Sequence, residues 1–582
     1  MRVKLAAKNG SASWGALFFK IQPTYSVPLA QNESSATLAN TYPSTTAKTT
    51  ESAEAPGPGA GAGVGGGGAG GDRRWTTAAL LLVMVLASME ATVTATAMPT
   101  IIGDLHGLEH YSWVISIYLL TSTIAMPLYG RLCDVLGRKR VLLFSIALFC
   151  IASTLAAFSR TMGELILLRG MQGLGAAGIM PVVLTIIGDI FTLQERAKMQ
   201  GAFSAVWGTA SFLGPALGAF LVSTTRFAPY FPEFVRPMLG WHVIFWVNLP
   251  AGFAGMLVLM FKYHDRQKPH STDLDLPGVG LLAGGSTALL AGVSLLAGIS
   301  VPHWVAGGLA IVGLLLLMAF GRWERVAGNP IMPPGMMMQR AIGPSMLASA
   351  LLGVVVYSIE NYVPFFVQGG RGGSAAAAAA TVTPTMLAWA TSGIVAAPLM
   401  MKWGFRRMAT IGAVLVTIGL CGLLVTALLA GPLWCITGTL FITGCGFGCG
   451  SMAMLLAAQD AVQWQQRGIV TSGITFCRNF GGALGVGLFG ALFNMISASS
   501  LESISRGRFL TSDLLNPQKL ESLQKTQPEL LAHAQSVICH GIWWVFAAMA
   551  AAGLLQVLVS RKISTHKSGH DVTSAEMMEA IG

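Results

Sequence analysis

Charged residues are scarce in this chain. Asp, Glu, Lys and Arg make up 10% of its 582 residues, whereas soluble domains carry about a quarter. That excludes an ordinary soluble globular protein. The eight cysteines show no CxxC spacing, and most lie inside apolar runs (Cys150, Cys435, Cys445, Cys449). There a small apolar residue is expected, not a disulfide or a metal ligand. The chain has no GxxxxGK(S/T) phosphate loop, no metal-ligand cluster and no nucleophile elbow. An ATP-driven pump or an enzyme therefore lacks support, and no catalytic, metal or cofactor site is expected. The start lacks the basic, apolar and cleavage regions of a signal peptide.

What is present is apolar. Hydrophobic residues make up 53% of the chain and the mean hydropathy is +0.63, which points to an all-α polytopic membrane protein. Residues 1–74 differ: Ser, Thr, Ala and Pro dominate to about Pro58, and Gly59–Gly71 is almost all Gly and Ala. Such a composition cannot bury a core, so a disordered low-complexity tail is expected. From Ala78 onward, runs long enough to cross about 30 Å of hydrocarbon fall near 78–99, 113–131, 141–158, 163–187, 200–223, 241–261, 276–297, 303–320, 344–367, 382–401, 408–429, 434–457, 470–495 and 540–560. They are numbered spans 1 to 14.

The net charge of +11 would suggest nucleic acid in a soluble protein. Here the basic residues gather in alternate loops, among them Arg131, Arg138, Lys139, Arg140, Lys402, Arg406 and Arg407. They set topology, with both termini and these loops in the cytoplasm, and no nucleic-acid partner is expected.

The stretch Gly130–Arg140 joins spans 2 and 3. The stretch Ala397–Arg407 joins spans 10 and 11, and it repeats the first: with Gly404 set on Gly137, Leu399 falls on Leu132 and Arg406 and Arg407 on Lys139 and Arg140, an offset of 267 (404 − 137). Spans 1–6 and 9–14 thus read as two parallel halves, with spans 7 and 8 inserted. Two related bundles around a midplane cavity are a transporter design. The expected organisation is a cytoplasmic tail (1–74), an N-terminal six-helix bundle (75–261), a central segment with two extra helices (262–340), a C-terminal six-helix bundle (341–560) and a second tail (561–582).

Ionisable residues inside apolar runs are few. Glu90 lies about twelve residues into span 1, roughly 18 Å of helix rise, and Glu360 about sixteen residues into span 9. Under the offset, position 90 maps to 357, so the two glutamates are one helical turn from equivalence. A carboxylate in apolar surroundings can be neutral when sealed and ionised when wetted, which is what proton coupling needs. Arg169 lies in the first third of span 4, with Glu90, Gln172 and backbone carbonyls as candidate partners, and Arg478 in span 13 resembles it in kind. Span 5 carries Gly208 and then Gly214-Pro215-Ala-Leu-Gly218, small residues that admit a close helix and a proline that can bend its own.

These motifs resemble the major facilitator superfamily, and more narrowly its fourteen-span drug:proton antiporters. Gly130-x-Leu132-x-Asp134-x-x-Gly137-Arg138-Lys139 is similar to the superfamily's signature loop. Met89–Pro99 is similar to the first-helix motif of the fourteen-span group, with Glu90 for the usual Asp and Ala95 for the usual Asn. Leu168-Arg169-Gly-Met-Gln172-Gly173 resembles the span 4 motif, and Gly214-Pro215-x-x-Gly218 the exporter motif of span 5. The resemblance runs on through Phe245–Pro250 and Arg467–Ser472. It implies a major-facilitator fold of two pseudo-symmetric six-helix bundles plus two inserted helices. It also implies proton-coupled efflux of amphipathic small molecules by alternating access, carried out by a monomer in a bacterial cytoplasmic membrane. Glu90, Glu360 and Arg169 would couple protons, and Asp134 with Arg138 would latch the cytoplasmic side. The alternatives are a dedicated exporter of one endogenous metabolite, such as a siderophore or antibiotic, and a transport-dead sensor or scaffold on the same fold.

Overall fold

The computed structural model describes residues 69–105, 111–192, 239–265, 275–296, 302–463, 466–505 and 528–564, with scattered positions between 195 and 232. The expected tail up to residue 68 lies outside the described residues. Helices occupy span 1 (Ala69–Leu105), span 2 (Tyr111–Leu136), span 3 (Arg138–Ala156) and span 4 (Met162–Ile190). Span 6 is Gly240–Lys262. Span 7 (Leu276–Leu296) and span 8 (His303–Trp323) follow. Span 9 runs from Ile342 to Phe365 and continues as a wider π turn to Gly370. Spans 10 to 14 are Ala375–Trp403, Phe405–Leu428, Leu433–Asp460, Arg467–Ser505 and Pro528–Ser560. Among the described residues, eleven helices are long and apolar enough to cross a membrane. Span 5 is described only at scattered positions between 202 and 222, all of them helical; Gly214 and Gly218 are buried there, while Gly208 and Pro215 lie outside the described residues.

The two halves pack alike. Span 1 lies on span 6, span 2 on span 4, span 3 on span 4 and span 3 on span 6. The matching pairs, 9 on 14, 10 on 12, 11 on 12 and 11 on 14, recur in the second half. The repeat is also exact at its junctions. Gly137 and Gly404 each begin the following helix with positive φ, 92° and 81°. Each N–H donates to the carbonyl four residues back, to Cys133 and Met400, and each carbonyl accepts from the residue four ahead, Val141 and Met408. Only glycine holds this backbone without strain, about 1–3 kcal/mol for other residues. Gly404→Ala is expected to cost about that much, because nothing lies within 4 Å of the added carbon. Gly137→Ala should cost more, since its carbon would stand 2.6 Å from the Asp265 carboxylate. Thermal unfolding in detergent checks the order: the larger fall in Tm belongs to Gly137→Ala.

Spans 7 and 8 form a hairpin. Gly285, Gly292 and Gly313 let the two backbones approach, and span 7 lies on span 13, with Gly487 against Val293. Span 8 turns Trp304, Ile311, Leu315 and Met318 outward, as a lipid-facing helix does. The foot of the hairpin is tied by Asp275, which accepts from the Trp323 indole at 2.8 Å and from Gly278 N–H at 3.0 Å. Glu324 accepts from Met332 N–H at 2.8 Å; burial shifts its carboxyl above the usual range.

Candidate functional site

Two polar networks stand out against the apolar packing. The first is sealed within the N-terminal bundle. The Glu90 carboxylate is 3% exposed and the Arg169 side chain 1%, and the two form an ion pair. Burying such a pair is costly unless every group finds a partner, and here they do. Asn248 of span 6 donates to Glu90 Oε2 at 2.6 Å, and Thr94, one turn along span 1, donates to Oε1 at 3.0 Å. Arg169 also donates to Gln172 Oε1 at 2.7 Å and to the Val114 carbonyl at 3.3 Å. The Gln172 amide passes the chain on to Ser153 at 2.7 Å. Tyr118 of span 2 lays its ring 4.3 Å from the guanidinium carbon, within cation–π range.

All three partner classes expected for Arg169 are therefore engaged at once. The surroundings of Glu90 differ from the expectation: the carboxylate is held by an arginine, an amide and a hydroxyl, not left in an apolar pocket. A crevice of about 140 Å³ reaches this carboxylate between spans 1, 5 and 6, lined by Met89, Val93, Leu217, Ile244 and Asn248. The sequence offered Asn248 only as part of Phe245–Pro250. Thr94, Ser153 and Tyr118 carried no signal, being ordinary residues for such runs.

The second network joins the bundles at the face that carries the basic loops. Asp134 Oδ2 accepts from the backbone N–H of Ile469, in the first turn of span 13, at 3.2 Å. A helix N-terminus favours a negative charge. Arg138 is fully buried, 3.6 Å from Asp134 and 3.1 Å from Asp189 at the end of span 4. Arg467 stands 3.7 Å from Asp189 and donates to the Gly188 carbonyl at 2.9 Å. Gly130 is packed so closely on Ser472 and Gly468 that a side-chain carbon there would overlap them. Asp189 is the member of this network that went unread in the sequence, where it looks like an ordinary end-of-span charge. Lys139 faces elsewhere: its ammonium bonds the Met260 carbonyl at 2.7 Å and its N–H the Asp265 carboxylate at 3.1 Å.

Glu360 belongs to neither network. The offset places Tyr357, not Glu360, in the position of Glu90, and the two glutamates differ accordingly: Glu90 is sealed and Glu360 is exposed.

A family model described as Major Facilitator Superfamily matches residues 80–486. The chain is 31% identical over 423 residues to "Multidrug transporter protein MdtP" of Bacillus subtilis, covering 72% of this chain and 75% of that protein. It is 29% identical to "Multidrug resistance protein 3" of the same organism, covering 75% and 82%. Among solved structures it shares its fold with a bacterial homologue of the iron transporter ferroportin, with a TM-score of 0.54 and 13% identity, covering 84% of this chain and all of that one.

Proposed function

The chain belongs to the major facilitator superfamily, and from that premise we propose that it is a proton-driven exporter of amphipathic small molecules, of the fourteen-span drug:proton antiporter branch. The observation that carries this reading is the buried Glu90–Arg169 pair. A proton arriving on Glu90 removes the charge that holds Arg169. The freed guanidinium keeps Gln172, the Val114 carbonyl and the Tyr118 ring, so it can swing without losing every partner. Span 4 is thereby uncoupled from spans 1 and 6, and the balance between inward-open and outward-open states shifts. Substrate and proton then compete across one cavity, and the proton gradient drives export. The names of the relatives support small-molecule efflux.

The second network is the latch: Asp134, Gly137 and Arg138, with Asp189 and Arg467, hold the cytoplasmic side shut. Gly214, Pro215 and Gly218 with Gly208 are the antiporter segment of span 5, where bundles must slide. The transporter works as a monomer in the cytoplasmic membrane of a bacterium, with its termini and basic loops inside.

The test is reconstitution. In liposomes loaded with a lipophilic cationic dye, an imposed proton gradient should drive dye against its own gradient, and collapsing the proton gradient should stop it. Movement that only ever runs downhill, at the same rate with or without the gradient, would reduce the protein to a facilitator. In the same assay Asn248→Ala removes one of the charge-assisted bonds to Glu90. Such bonds are worth about 1.5–3 kcal/mol, so the gradient-driven rate should fall about tenfold while binding of dye changes little.

A further inference from the structure

Glu360 and Arg478 remain outside the networks above, and they share a place. Span 13 crosses span 9 so closely at Gly353 that an added carbon would overlap the Arg478 carbonyl. One turn on, Tyr357 lies over Gly482, and its hydroxyl donates to Asn479 Oδ1 at 3.3 Å. The Asn479 amide in turn meets Met126 of span 2 at 3.7 Å, so this face of span 13 stands where the two bundles meet. Glu360 is the next turn of span 9, on the same side as Tyr357. Glu360 is exposed and Arg478 partly so.

Among the described residues neither side chain has a hydrogen bond or an ion pair, with each other or with a third group. An unpaired charge in a membrane interior is expensive, and here one of each sign flanks Tyr357. We propose that this is a substrate subsite for zwitterions: a planar aromatic body lies against Tyr357, its cationic end at Glu360 and its carboxylate on Arg478. The guanidinium fork suits a carboxylate, and the face of Tyr357 suits an aromatic cation. The proposal rests on the exporter reading and deepens it. It gives Glu360 the task of holding substrate and leaves proton exchange to Glu90.

Rhodamine B and its ethyl ester test it, because they share one cationic ring system and only the acid has a carboxylate. Binding is measured by fluorescence anisotropy on the purified full-length protein in nanodiscs. The unmodified protein should bind the acid about tenfold or more tightly than the ester. Arg478→Gln should abolish that preference by weakening the acid alone, Arg478→Lys should keep part of it, and Glu360→Gln should weaken both dyes alike. Equal affinity for acid and ester, binding of neither, or an Arg478→Gln effect of equal size on both dyes would overturn the subsite. A Glu360→Gln variant with unchanged affinities would remove Glu360 from it. Gradient-driven efflux of the ester without preference for the acid would leave the exporter standing and sink the subsite. Selective binding of the acid without gradient-driven flux would do the reverse.

Discussion

Glu90→Gln should abolish proton-driven efflux while the protein still reaches the membrane. Glutamine keeps the shape of the protonated carboxyl and, with its one carbonyl oxygen, can still accept from either Asn248 or Thr94, whose bonds to Glu90 measure 2.6 and 3.0 Å. It cannot gain or lose the proton. Arg169, 1% exposed, is then left without its anion, a defect that costs about 3–5 kcal/mol when one member of a buried pair is removed. Stranding it favours the state in which the guanidinium reaches other partners, so the variant is held on the proton-bound side of the cycle. Downhill dye movement should persist, and uphill movement should fall by about a hundredfold or more. Glu90→Asp keeps the charge one methylene short and should retain a weakened, still gradient-dependent efflux. Together the two variants separate loss of the proton site from a failure to fold. Normal uphill efflux by Glu90→Gln would remove Glu90 from the coupling mechanism.

Asp134→Asn should open the face that carries the basic loops. Asp134 reaches from the N-terminal bundle to the backbone of the first turn of span 13, through Ile469 N–H. It also shares Arg138 with Asp189. Asparagine loses the charge that the helix terminus favours and leaves Asp189 to hold the fully buried Arg138. A hydrogen bond to a charged group is worth about 1.5–3 kcal/mol, so the ratio of open to closed states should rise about tenfold or more. Ser472 is 1% exposed against Gly130, which makes a cysteine at 472 a reporter of that opening. In a background without other cysteines, labelling of Ser472→Cys by an impermeant maleimide from this face should rise by the same factor. Unchanged labelling would reduce the loop to a topology marker.

Much of the fold was legible because apolar runs of membrane length are the strongest pattern a sequence carries. The repeat was legible for a sharper reason. Gly137 and Gly404 occupy backbone angles that other residues resist, so the second copy kept its glycine even where Met401 replaced Asp134. Helix ends were less legible. Span 14 begins at Pro528, well before the expected 540, because Glu529, His533 and Gln535 dilute its first turns below the hydropathy of a membrane run.

Of the candidate site, the charges were visible and their partners were not. Glu90 and Arg169 announce themselves as ionisable groups in apolar runs. That they pair depends on spans 1 and 4 meeting at one height, and no local pattern encodes that. Asn248, Thr94 and Ser153 are polar residues of a kind any membrane helix carries. The offset sets Tyr357, not Glu360, on Glu90; one helical turn further along the same face, Glu360 is exposed where Glu90 is buried.

The central claim is that Glu90 gives up its proton as substrate binds elsewhere in the shared cavity. The most direct measurement is proton release on binding, read with a pH indicator in weakly buffered, detergent-solubilised protein. Adding a cationic dye such as rhodamine B ethyl ester should release protons from the unmodified protein and from Glu360→Gln, in proportion to the dye bound, and none from Glu90→Gln. Release from Glu90→Gln equal to that of the unmodified protein, at equal dye bound, would contradict the account.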